Sequence, residues 1–426
     1  MSKDAVKNIN SLTLAFAKAV GNHQTDKNDN LVISPYNALM CLAMVAKGAD
    51  VNTREEMAKA LFGVSAKELD DAVAELASLN TGILTANKDQ VELRTANGVW
   101  ANKEILTLNK KFAAELKQIF GAEISEESFS DPSVPGKINA WAGKNTNNLI
   151  TKIIEELTPD DAAVLASALY FKGQWTHKFD KKETQDRAFT SDDGGTSVTP
   201  TMKKSYKASQ IRHQDGVDYE AIALTYGQES NEKNQAPAMR LVLVRPKDDS
   251  VHARDWLAQQ TGDKAPAWLE ADSFQRLQGN VELPRLDIQQ QHDLIKPLKE
   301  MGIRDAFKEG IADFSPMTKK GTKDLVIGKA THDVVFKTDE EGSEAAAVTT
   351  VGMMRATCVM PPQRTFDIKF DRSFVFALQD IKTGTVIFAG AVNKPNKDMR
   401  PGKKEPKRQP ASELFRGRSP NPKTGT

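Results

Sequence analysis

The segment from residue 342 to residue 363 restricts the fold of this chain more than any other feature of the sequence. Its only charged residues are Glu344 and Arg355, and its first proline is Pro361. Most of the other residues are small or favour β-strands. In a compact domain, a segment of this length and composition is either a buried strand or a long loop with a function.

Two properties of the segment suit a strand that is added to a sheet. It lacks proline over most of its length, and a proline would remove a ladder hydrogen bond. Its residues also alternate with period two, and one face consists of Ser343, Ala345, Ala347, Thr349, Val351 and Met353. Glu344 falls on the opposite face, where its charge stays solvated. An ordinary buried strand is the alternative, but it leaves the run of alanines unexplained because alanine is a poor strand former.

The composition is that of a soluble globular protein, with 39% hydrophobic residues, 27% charged residues and a formal net charge of +1. No excess of basic or acidic residues points to nucleic acid or to an acidic substrate. The two cysteines, Cys41 and Cys358, allow one disulfide at most and form no disulfide framework. This fits a reducing compartment, or a secreted protein that needs no bridges.

The start of the chain contains no apolar stretch of the length that a signal peptide needs, and no run of 18 apolar residues occurs anywhere. We therefore expect a cytoplasmic protein if Met1 is the native start, and an extracellular protein if a signal was removed. No association with a membrane is expected.

No sequence motif indicates an enzyme. The chain contains no Gly-x-Ser-x-Gly elbow, no Walker loop and no His-Glu-x-x-His pair. Its six histidines are scattered, and neither cysteine has a partner at the spacing of metal ligands, so we expect no metal site and no cofactor. Cys358 is the one candidate nucleophile, but no His, Lys or helix start lies near it in the sequence to lower its pKa. We therefore expect no catalytic residue.

Hydrophobic periodicity predicts a mixture of helices and strands. Helices are predicted over residues 4–20, 36–47, 66–79, 108–118, 134–146 and 290–307. Strands are predicted over residues 91–100, 163–171, 239–245, 281–286, 325–336, 366–378 and 385–392. Thr53 and Glu56 have the spacing of a capping box at the start of a further helix. Because helices and strands do not alternate regularly, we predict the α+β class with large antiparallel sheets.

Residues 396–426 are predicted to form a separate, basic C-terminal tail. From Lys394 to the end of the chain, ten lysines and arginines stand against three acidic residues, and proline and glycine are frequent. Such a segment cannot bury a core, so we expect it to be disordered. Residues 1–395 are predicted to form a single domain.

The segment around Gly342 also carries a family resemblance. Asp339-Glu-Glu-Gly-Ser-Glu-Ala-Ala-Ala347 resembles the hinge of the reactive-centre loop of serpins, and Ile368–Leu378 resembles the C-terminal serpin signature. Further motifs follow in the order of the family between about residues 8 and 395: Asn30–Pro35, Tyr170–Trp175, Val281–Arg285 and Ala312–Ser315. One such motif is a weak signal, but many in the right order make the resemblance specific, and the chain is identified as a serpin of the inhibitory type.

The resemblance implies a fold and a mechanism. The fold is a serpin domain with about three β-sheets and eight to nine helices, in which the large central sheet can accept the loop as an extra strand. The implied function is suicide-substrate inhibition of a serine or cysteine endopeptidase. The protease cuts the loop, the loop inserts into the sheet, and the protease stays trapped as a covalent acyl complex. The intact fold is then metastable, and the protein is an inhibitor rather than an enzyme.

The resemblance also assigns the loop and the bond that is cut. The loop spans about residues 340–363, and its hinge consists of Glu340, Glu341, Gly342, Ser343, Glu344, Ala345, Ala346 and Ala347. By the spacing of the family, the reactive bond is Ala356–Thr357, and a shift of one residue gives Arg355–Ala356. Arg355 suits a trypsin-like protease, whereas Ala356 or a methionine before Arg355 suits chymotrypsin-, elastase- or subtilisin-like proteases. Both bonds remain alternatives.

Two more groups of residues belong to the implied site. A polar cluster under the central sheet is called the shutter, and Ser34 and His332 match it by motif. Its second serine position holds Asn37 and its usual asparagine position holds Ser167, a reciprocal exchange that keeps the hydrogen-bonding groups unchanged. The place where insertion begins is called the breach, and Trp175 and Glu340 match it.

Two alternatives to inhibition remain. A non-inhibitory serpin would be a storage, carrier or chaperone-like protein. The small residues from Ser343 to Ala347 argue against this function, although Val348 is larger than the usual hinge residue and would slow insertion.

The other alternative is that the basic tail carries the function by binding a polyanion, because its charges attract polyanions in a salt-dependent way. The tail has one aromatic residue, Phe415, so we expect no binding of nucleic acid and at most weak binding of a polyanion. The expected partner is a target protease, and the expected state is a monomer.

Overall fold

The computed structural model describes residues 3–229, 237–261, 266–321, 325–343 and 364–396. These residues contain eight α-helices: α1 (Lys3–His23), α2 (Pro35–Lys47), α3 (Val51–Phe62), α4 (Leu69–Asn87), α5 (Lys110–Phe120), α6 (Val134–Asn145), α7 (Ala253–Gln259) and α8 (Ile295–Glu300). No helix in these ranges is both long and apolar enough to cross a membrane.

The same residues contain seventeen β-strands. They are β1 (Leu31–Ile33), β2 (Val91–Asn102), β3 (Glu123–Glu127), β4 (Ala163–Gln174), β5 (Gln185–Thr190), β6 (Thr196–Tyr206), β7 (Arg212–Asp215), β8 (Tyr219–Tyr226), β9 (Met239–Pro246), β10 (Gln275–Arg276), β11 (Gln278–Pro284), β12 (Leu286–Asp293), β13 (Thr331–Thr338), β14 (Gly342–Ser343), β15 (Thr365–Lys369), β16 (Phe374–Asp380) and β17 (Val386–Val392). The α+β class predicted from the sequence is confirmed.

The largest sheet has seven strands in the order β1-β17-β16-β9-β8-β7-β10, and each strand is antiparallel to its neighbour. Every residue of β16 and of β17 is buried. Helices α1, α2 and α7 pack against β17. Phe336 of β13 stacks on Phe376 of β16 with ring centroids 4.6 Å apart, so this sheet and β13 share one hydrophobic core.

A second sheet has four strands in the order β15-β11-β6-β5. Strand β11 is antiparallel to β6 and parallel to β15, with Gln278 opposite Thr365. Strand β15, the first described strand after the predicted loop, therefore belongs to this sheet.

The remaining strands form two hydrogen-bonded groups, which we assign as two parts of the predicted central sheet. One part has the order β14-β4-β2-β3, and the other consists of β12 and β13. In the part of the chain that the structure describes, β4 and β13 share no strand register, and only the two residues of β14 lie between them. The candidate site lies between these two parts.

The helix predicted over residues 290–307 is wrong at its start. Strand β12 continues to Asp293, and α8 covers only the residues from Ile295 to Glu300. The polar residues of β12 are held by the neighbouring strand β1: the side-chain carbonyl of Gln290 accepts from the N–H of Val32 at 2.6 Å, and His292 Nε2 lies 2.8 Å from the carbonyl of Val32. These tertiary hydrogen bonds override the helical spacing of the sequence.

Other predicted boundaries also differ. The strand predicted over residues 366–378 is two strands in different sheets, β15 and β16, and the strand predicted over residues 325–336 begins at Thr331. The capping box is wrong, because α3 begins at Val51 and the Asp50 side chain accepts from the N–H of that residue at 2.8 Å. Thr53 Oγ1 accepts from the N–H of Asp313 instead, at 3.0 Å.

Candidate functional site

The space between β4 and β13, which we call the strand gap, is the candidate functional site. Its wider end is a cavity of about 330 Å³, lined by Leu165 and Ser167 of β4, by His332 of β13, and by Asn37 and Cys41 of α2. A smaller opening of about 20 Å³ lies further along the same two strands. The gap therefore follows the length of the strands.

Among the residues that the structure describes, both strands have an unpaired backbone edge at the strand gap. Strand β4 pairs with β2 along one edge from Ala163 to Gly173, and on the other edge its only described partner is β14, at Gly173 and Gln174. Strand β13 pairs with β12 along its whole length. An open edge of this kind is a template for an additional strand, which supplies the missing ladder hydrogen bonds.

Ser34 and His332 lie together at the wide end of the strand gap. The backbone N–H of Ser34 donates to His332 Nε2 at 2.9 Å, and the hydroxyl of Ser34 donates to the carbonyl of Ile387 at 2.8 Å. Because Nε2 accepts, the neutral His332 ring carries its proton on Nδ1. Burial, with a smaller contribution from the nearby His292, lowers the pKa of His332 to about 3.

Asn37 and Ser167 form a reciprocal pair between α2 and β4. The hydroxyl of Ser167 donates to Asn37 Oδ1 at 2.7 Å, and Asn37 Nδ2 donates to the carbonyl of Ser167 at 2.9 Å. The N–H of Asn37 also donates to Ser34 Oγ at 3.3 Å, which joins the pair to the rest of the cluster. The structure therefore brings all four predicted shutter residues together.

The breach residues meet at the opposite, narrow end of the strand gap. The indole Nε1 of Trp175 donates to the carbonyl of Asp339 at 2.7 Å, and the backbone N–H of Trp175 donates to the carbonyl of Glu341 at 2.8 Å. The indole also stacks on Tyr226 with ring centroids 4.2 Å apart. The hydroxyl of Tyr226 lies 3.0 Å from Ser343 Oγ. The first hinge residues are thus held by the strands beside the gap.

Glu340 is a buried carboxylate, 1% exposed, and it is fully paired. Arg285 makes a bidentate contact with it, with its Nη2 at 2.7 Å and its Nε at 3.0 Å from Oε1, and the hydroxyl of Thr184 also donates to Oε1. Burial alone would raise the pKa of Glu340, but the hydrogen bonds from Arg285 and Thr184 lower it overall. The hinge therefore begins at a carboxylate that is held in place by Arg285 and Thr184.

The adjacent Glu341 is anchored in a similar way. Lys178 Nζ lies 2.7 Å from one of its carboxylate oxygens and Lys181 Nζ lies 3.4 Å from the other. The hydrogen bond from Lys178 lowers the pKa of Glu341 more than burial raises it. Both glutamates are therefore ionised at neutral pH, and each is tied to the strands or turns that flank β14.

Gly342 occupies a position that only glycine fits. Its φ is +146°, and a Cβ there would lie 2.0 Å from the carbonyl oxygen of Gly173. The hydroxyl of Thr338 donates to the carbonyl of Gly342 at 3.1 Å. The chain thus enters the narrow end of the strand gap at Gly342, with β4 on one side and β13 on the other.

Ser343, in the hinge, is the last described residue of the loop, and the description resumes at Arg364, just after the loop ends. The predicted hinge residues Glu344, Ala345, Ala346 and Ala347 and the predicted reactive-bond residues Arg355, Ala356 and Thr357 lie outside the described residues. So does the tail after Asn396. Their roles stay predictions.

Sequence reasoning missed several partners of the site. Tyr226, Gly173, Arg285 and Lys178 contact the hinge, and none of them was predicted as a site residue. Tyr226 and Ser343 are 117 residues apart in the chain. No spacing rule connects residues so distant, although Arg285 closes a motif that the sequence does contain.

Comparison with known proteins agrees with this arrangement. The family model described as "Serpin (serine protease inhibitor)" matches residues 7–395. The chain is 28% identical to Serpin-Z3 of Arabidopsis thaliana, with 92% of this chain and 98% of that protein covered. It is 27% identical to the leukocyte elastase inhibitor of Equus caballus, with 88% of this chain and 95% of that protein covered.

Solved serpin structures have the same fold. The native state of tengpin, a thermophilic serpin, gives a TM-score of 0.78 at 24% identity and covers 92% of this chain and 95% of its own. Human thyroxine-binding globulin gives a TM-score of 0.77 at 25% identity and covers 92% of this chain and 100% of its own. The match to the family model over nearly the whole chain shows that this protein belongs to the serpin family.

Proposed function

We propose that this serpin inhibits a serine or cysteine endopeptidase as a suicide substrate, and that it is not itself an enzyme. The observation that supports this most is the strand gap, which has an open edge on β4 and the anchored start of the loop at its narrow end. Leukocyte elastase inhibitor, which is named for the protease that it inhibits, is among the relatives.

The chemistry begins with cleavage of the loop. The protease nucleophile, a serine Oγ or a cysteine Sγ, attacks the carbonyl carbon of the reactive bond. The peptide nitrogen leaves with a proton, and the new ester or thioester joins the protease to the N-terminal part of the loop. Deacylation by water would release the protease, so inhibition requires that insertion distort the protease before this step.

The register of β14 indicates how the cut loop would pair. Gly342 lies opposite Gln174 and Ser343 lies opposite Gly173. Continued in the same antiparallel register, Ala345 would lie opposite Phe171 and Ala347 opposite Leu169. Opposed residues in an antiparallel pair share one face of the sheet. Phe171 and Leu169 belong to the main hydrophobic core, whereas Ala168, on the other face of β4, belongs to a separate and smaller cluster. The small hinge residues would therefore face the core, where a large side chain would not fit.

The same register supports the position of the reactive bond. Strand β4 begins at Ala163, and continued pairing would place Met353 opposite it. Arg355 and Ala356 then lie just past the end of β4, so a protease attached there would be carried along the whole strand. Both Arg355–Ala356 and Ala356–Thr357 fit this length.

The test is to incubate the full chain with trypsin, chymotrypsin, elastase and subtilisin and to follow it by denaturing gels and mass spectrometry. A denaturant-resistant complex with at least one protease supports inhibition, and the mass of the released C-terminal peptide identifies the bond. Arg355→Gln should abolish the complex if Arg355–Ala356 is cut and should spare it if Ala356–Thr357 is cut.

A matched pair of variants tests insertion itself. Ala347→Arg places a large charged side chain on the face that the proposed strand shares with Leu169 and Phe171. Glu344→Arg places the same side chain on the other face, opposite the half-buried Lys172, at a position that already carries a charge. Ala347→Arg should turn the protein into a substrate that is cut without complex formation, and Glu344→Arg should remain an inhibitor. Equal behaviour of the two variants would refute the proposed register.

A non-inhibitory role is the other outcome of these tests. The serpin fold also serves thyroxine-binding globulin, which is named for a small molecule that it binds rather than for a protease. Clean cleavage by every protease without a covalent complex, together with no increase in stability after cleavage, would favour a carrier or storage protein.

A further inference from the structure

An open cleft of about 820 Å³ lies beside the outer edge of β12. Strand β12 lines it from Asp287 to Asp293, and its other walls come from the end of α1, the loop that follows α1, and the turn between β5 and β6. Strand β12 pairs with β13 along one edge, and no strand among the described residues pairs with its other edge. The cleft therefore contains an unpartnered strand edge, and it shares no lining residue with the cavity of the strand gap.

The walls of this cleft are acidic. Five aspartates line it, and all of them are exposed: Asp26, Asp29, Asp193, Asp287 and Asp293. Among the lining residues that the structure describes, Lys394 is the one lysine or arginine, and its Nζ lies 3.8 Å from Asp29 and 4.0 Å from Asp26. Lys337, which lies outside the lining, pairs with Asp287 at 3.0 Å. The aspartates outnumber these two lysines, so the cleft can accept further cations.

The described part of the chain ends in this cleft. The N–H of Asp287 donates to the carbonyl of Pro395 at 3.1 Å, which is a backbone hydrogen bond to the outer edge of β12. Asn396, the last described residue, lines the cleft, and its Nδ2 donates to the carbonyl of Arg285 at 2.9 Å. The rest of the basic tail, residues 397–426, carries nine lysines and arginines against three acidic residues. A segment of opposite charge therefore begins at the acidic cleft.

The tail is long enough to cover the cleft. Between Pro395 and Asn396 the chain runs towards the start of β12, so the tail must turn back to lie along this strand. The dipeptide Pro401-Gly402 is typical of turns. A basic group follows this turn and consists of Lys403, Lys404, Lys407 and Arg408. When extended, these six positions span up to about 20 Å, which is most of the length of the eight-residue strand β12.

We propose that the tail folds back within its own chain and lies in this acidic cleft, with the basic group against the aspartates. Each exposed ion pair contributes little by itself. The covalent link keeps the tail at a high effective concentration beside the cleft, so several weak pairs act together. A polyanion would then have to compete with the cleft for the tail. This contact is separate from protease inhibition.

The first test uses the full, uncleaved chain as an equal mixture of unlabelled and heavy-isotope-labelled protein. A carbodiimide couples lysine amines directly to carboxylates, and mass spectrometry maps the links. We expect links from the tail lysines to the cleft aspartates in which both peptides carry the same label. Their yield should fall at least about threefold between about 0.1 M and 1 M salt, because the Debye length falls from about 10 Å to about 3 Å.

Two results of this experiment would overturn the proposal. Links between differently labelled peptides would mean that the tail binds a second copy of the chain. Links spread evenly over the exposed carboxylates of the surface would mean that the tail has no preferred site.

A matched pair of variants tests the cleft by a second readout, the rate at which lysyl endopeptidase cuts the tail at low salt. The cleft variant is Asp29→Asn with Asp287→Asn. The control is Glu155→Gln with Glu156→Gln, which removes the same charge at exposed positions outside the cleft. Because cleavage follows the population of undocked tail, the cleft variant should be cut at least about threefold faster than the wild type, and the control at the wild-type rate. Equal rates for the cleft variant and the wild type, or equal acceleration in both variants, would refute docking in the cleft.

Discussion

Asn37 and Ser167 hold α2 to β4 at the wide end of the strand gap through two hydrogen bonds in opposite directions. Both side chains donate and accept, so exchanging the two residue types retains the same set of groups. Removing one partner instead leaves a buried polar group without its bond, which typically costs about 1–3 kcal/mol.

We predict that Asn37→Ser lowers the free energy of unfolding by about 1–3 kcal/mol, because the carbonyl and the hydroxyl of Ser167 both lose their partner. Adding Ser167→Asn should restore much of the loss. Urea unfolding of the two single variants and the double variant measures the coupling. Losses that simply add in the double variant would contradict this account of the pair.

His332 makes the stability of the protein depend on pH. Its pKa in the folded protein is about 3, below the usual value of 6.5, because burial disfavours the charged ring. The unfolded chain therefore takes up the proton first. The contribution of neutral His332 is fully present above about pH 6.5 and is lost as the pH falls from there towards 3.

We predict that the free energy of unfolding of the wild type falls between pH 6.5 and pH 4.5 by up to about 1.4 kcal/mol per pH unit from His332. His332→Gln removes this titration but leaves the other groups, including Asp333, whose pKa burial raises to about 6 and which acts in the opposite sense. Urea unfolding at several pH values gives both slopes. Identical slopes for the variant and the wild type would rule out His332 as the source.

At the scale of elements, the two residues of β14 pair with β4, and the hydroxyl of Thr338 at the end of β13 donates to the carbonyl of Gly342. Its geometry depends on Gly342, where φ is positive and the carbonyl of Gly173 approaches closely. A side chain at this position would push β14 away from β4 and disturb the first pair of the proposed insertion.

We predict that Gly342→Ala lowers the free energy of unfolding by about 1–3 kcal/mol through strain, and that it increases the amount of protein cut per complex formed. Gly63→Ala is the matched control, because Gly63 also has a positive φ, +69°, but nothing lies within 4 Å of its Cβ position. The control should cost less stability and leave inhibition unchanged. Equal effects of both variants would mean that the contact with Gly173 is unimportant.

Much of the fold could be predicted from the sequence, for reasons that differ between elements. Strands β4 and β17 are rich in apolar, strand-forming residues, so their composition predicts them as strands. Strand β12 was missed because its glutamines and His292 look exposed in the sequence, whereas Gln290 and His292 bond to β1. Such contacts join residues more than 200 positions apart, and no local pattern encodes them.

Some residues of the candidate site could also be predicted from the sequence, and others could not. The residues that carry family motifs, such as Ser34, His332 and Trp175, could be named from the sequence, and the structure places them at the two ends of the strand gap. Tyr226 and Gly173 could not be named, because their importance comes only from the register that brings them against β14.

At the scale of the whole molecule, the two parts of the central sheet share no strand ladder among the described residues, and only the two-residue strand β14 lies on the edge of β4 that faces β13. We propose that the uncut loop keeps the intact chain from its most stable arrangement. Insertion of about a dozen residues would add ladder hydrogen bonds of about 1 kcal/mol each and bury further apolar surface. Ordinary proteins lose stability when their chain is cut. The sign of the change in stability after cleavage therefore distinguishes loop insertion from simple nicking of the chain.

The most direct test of this claim compares thermal unfolding of the intact protein with that of the protein cut once between residues 353 and 358. We predict that the cut wild type unfolds at least about 10 °C higher than the intact form, and that cut Ala347→Arg does not. A cut wild type that unfolds at the same or a lower temperature would contradict insertion of the loop into the strand gap.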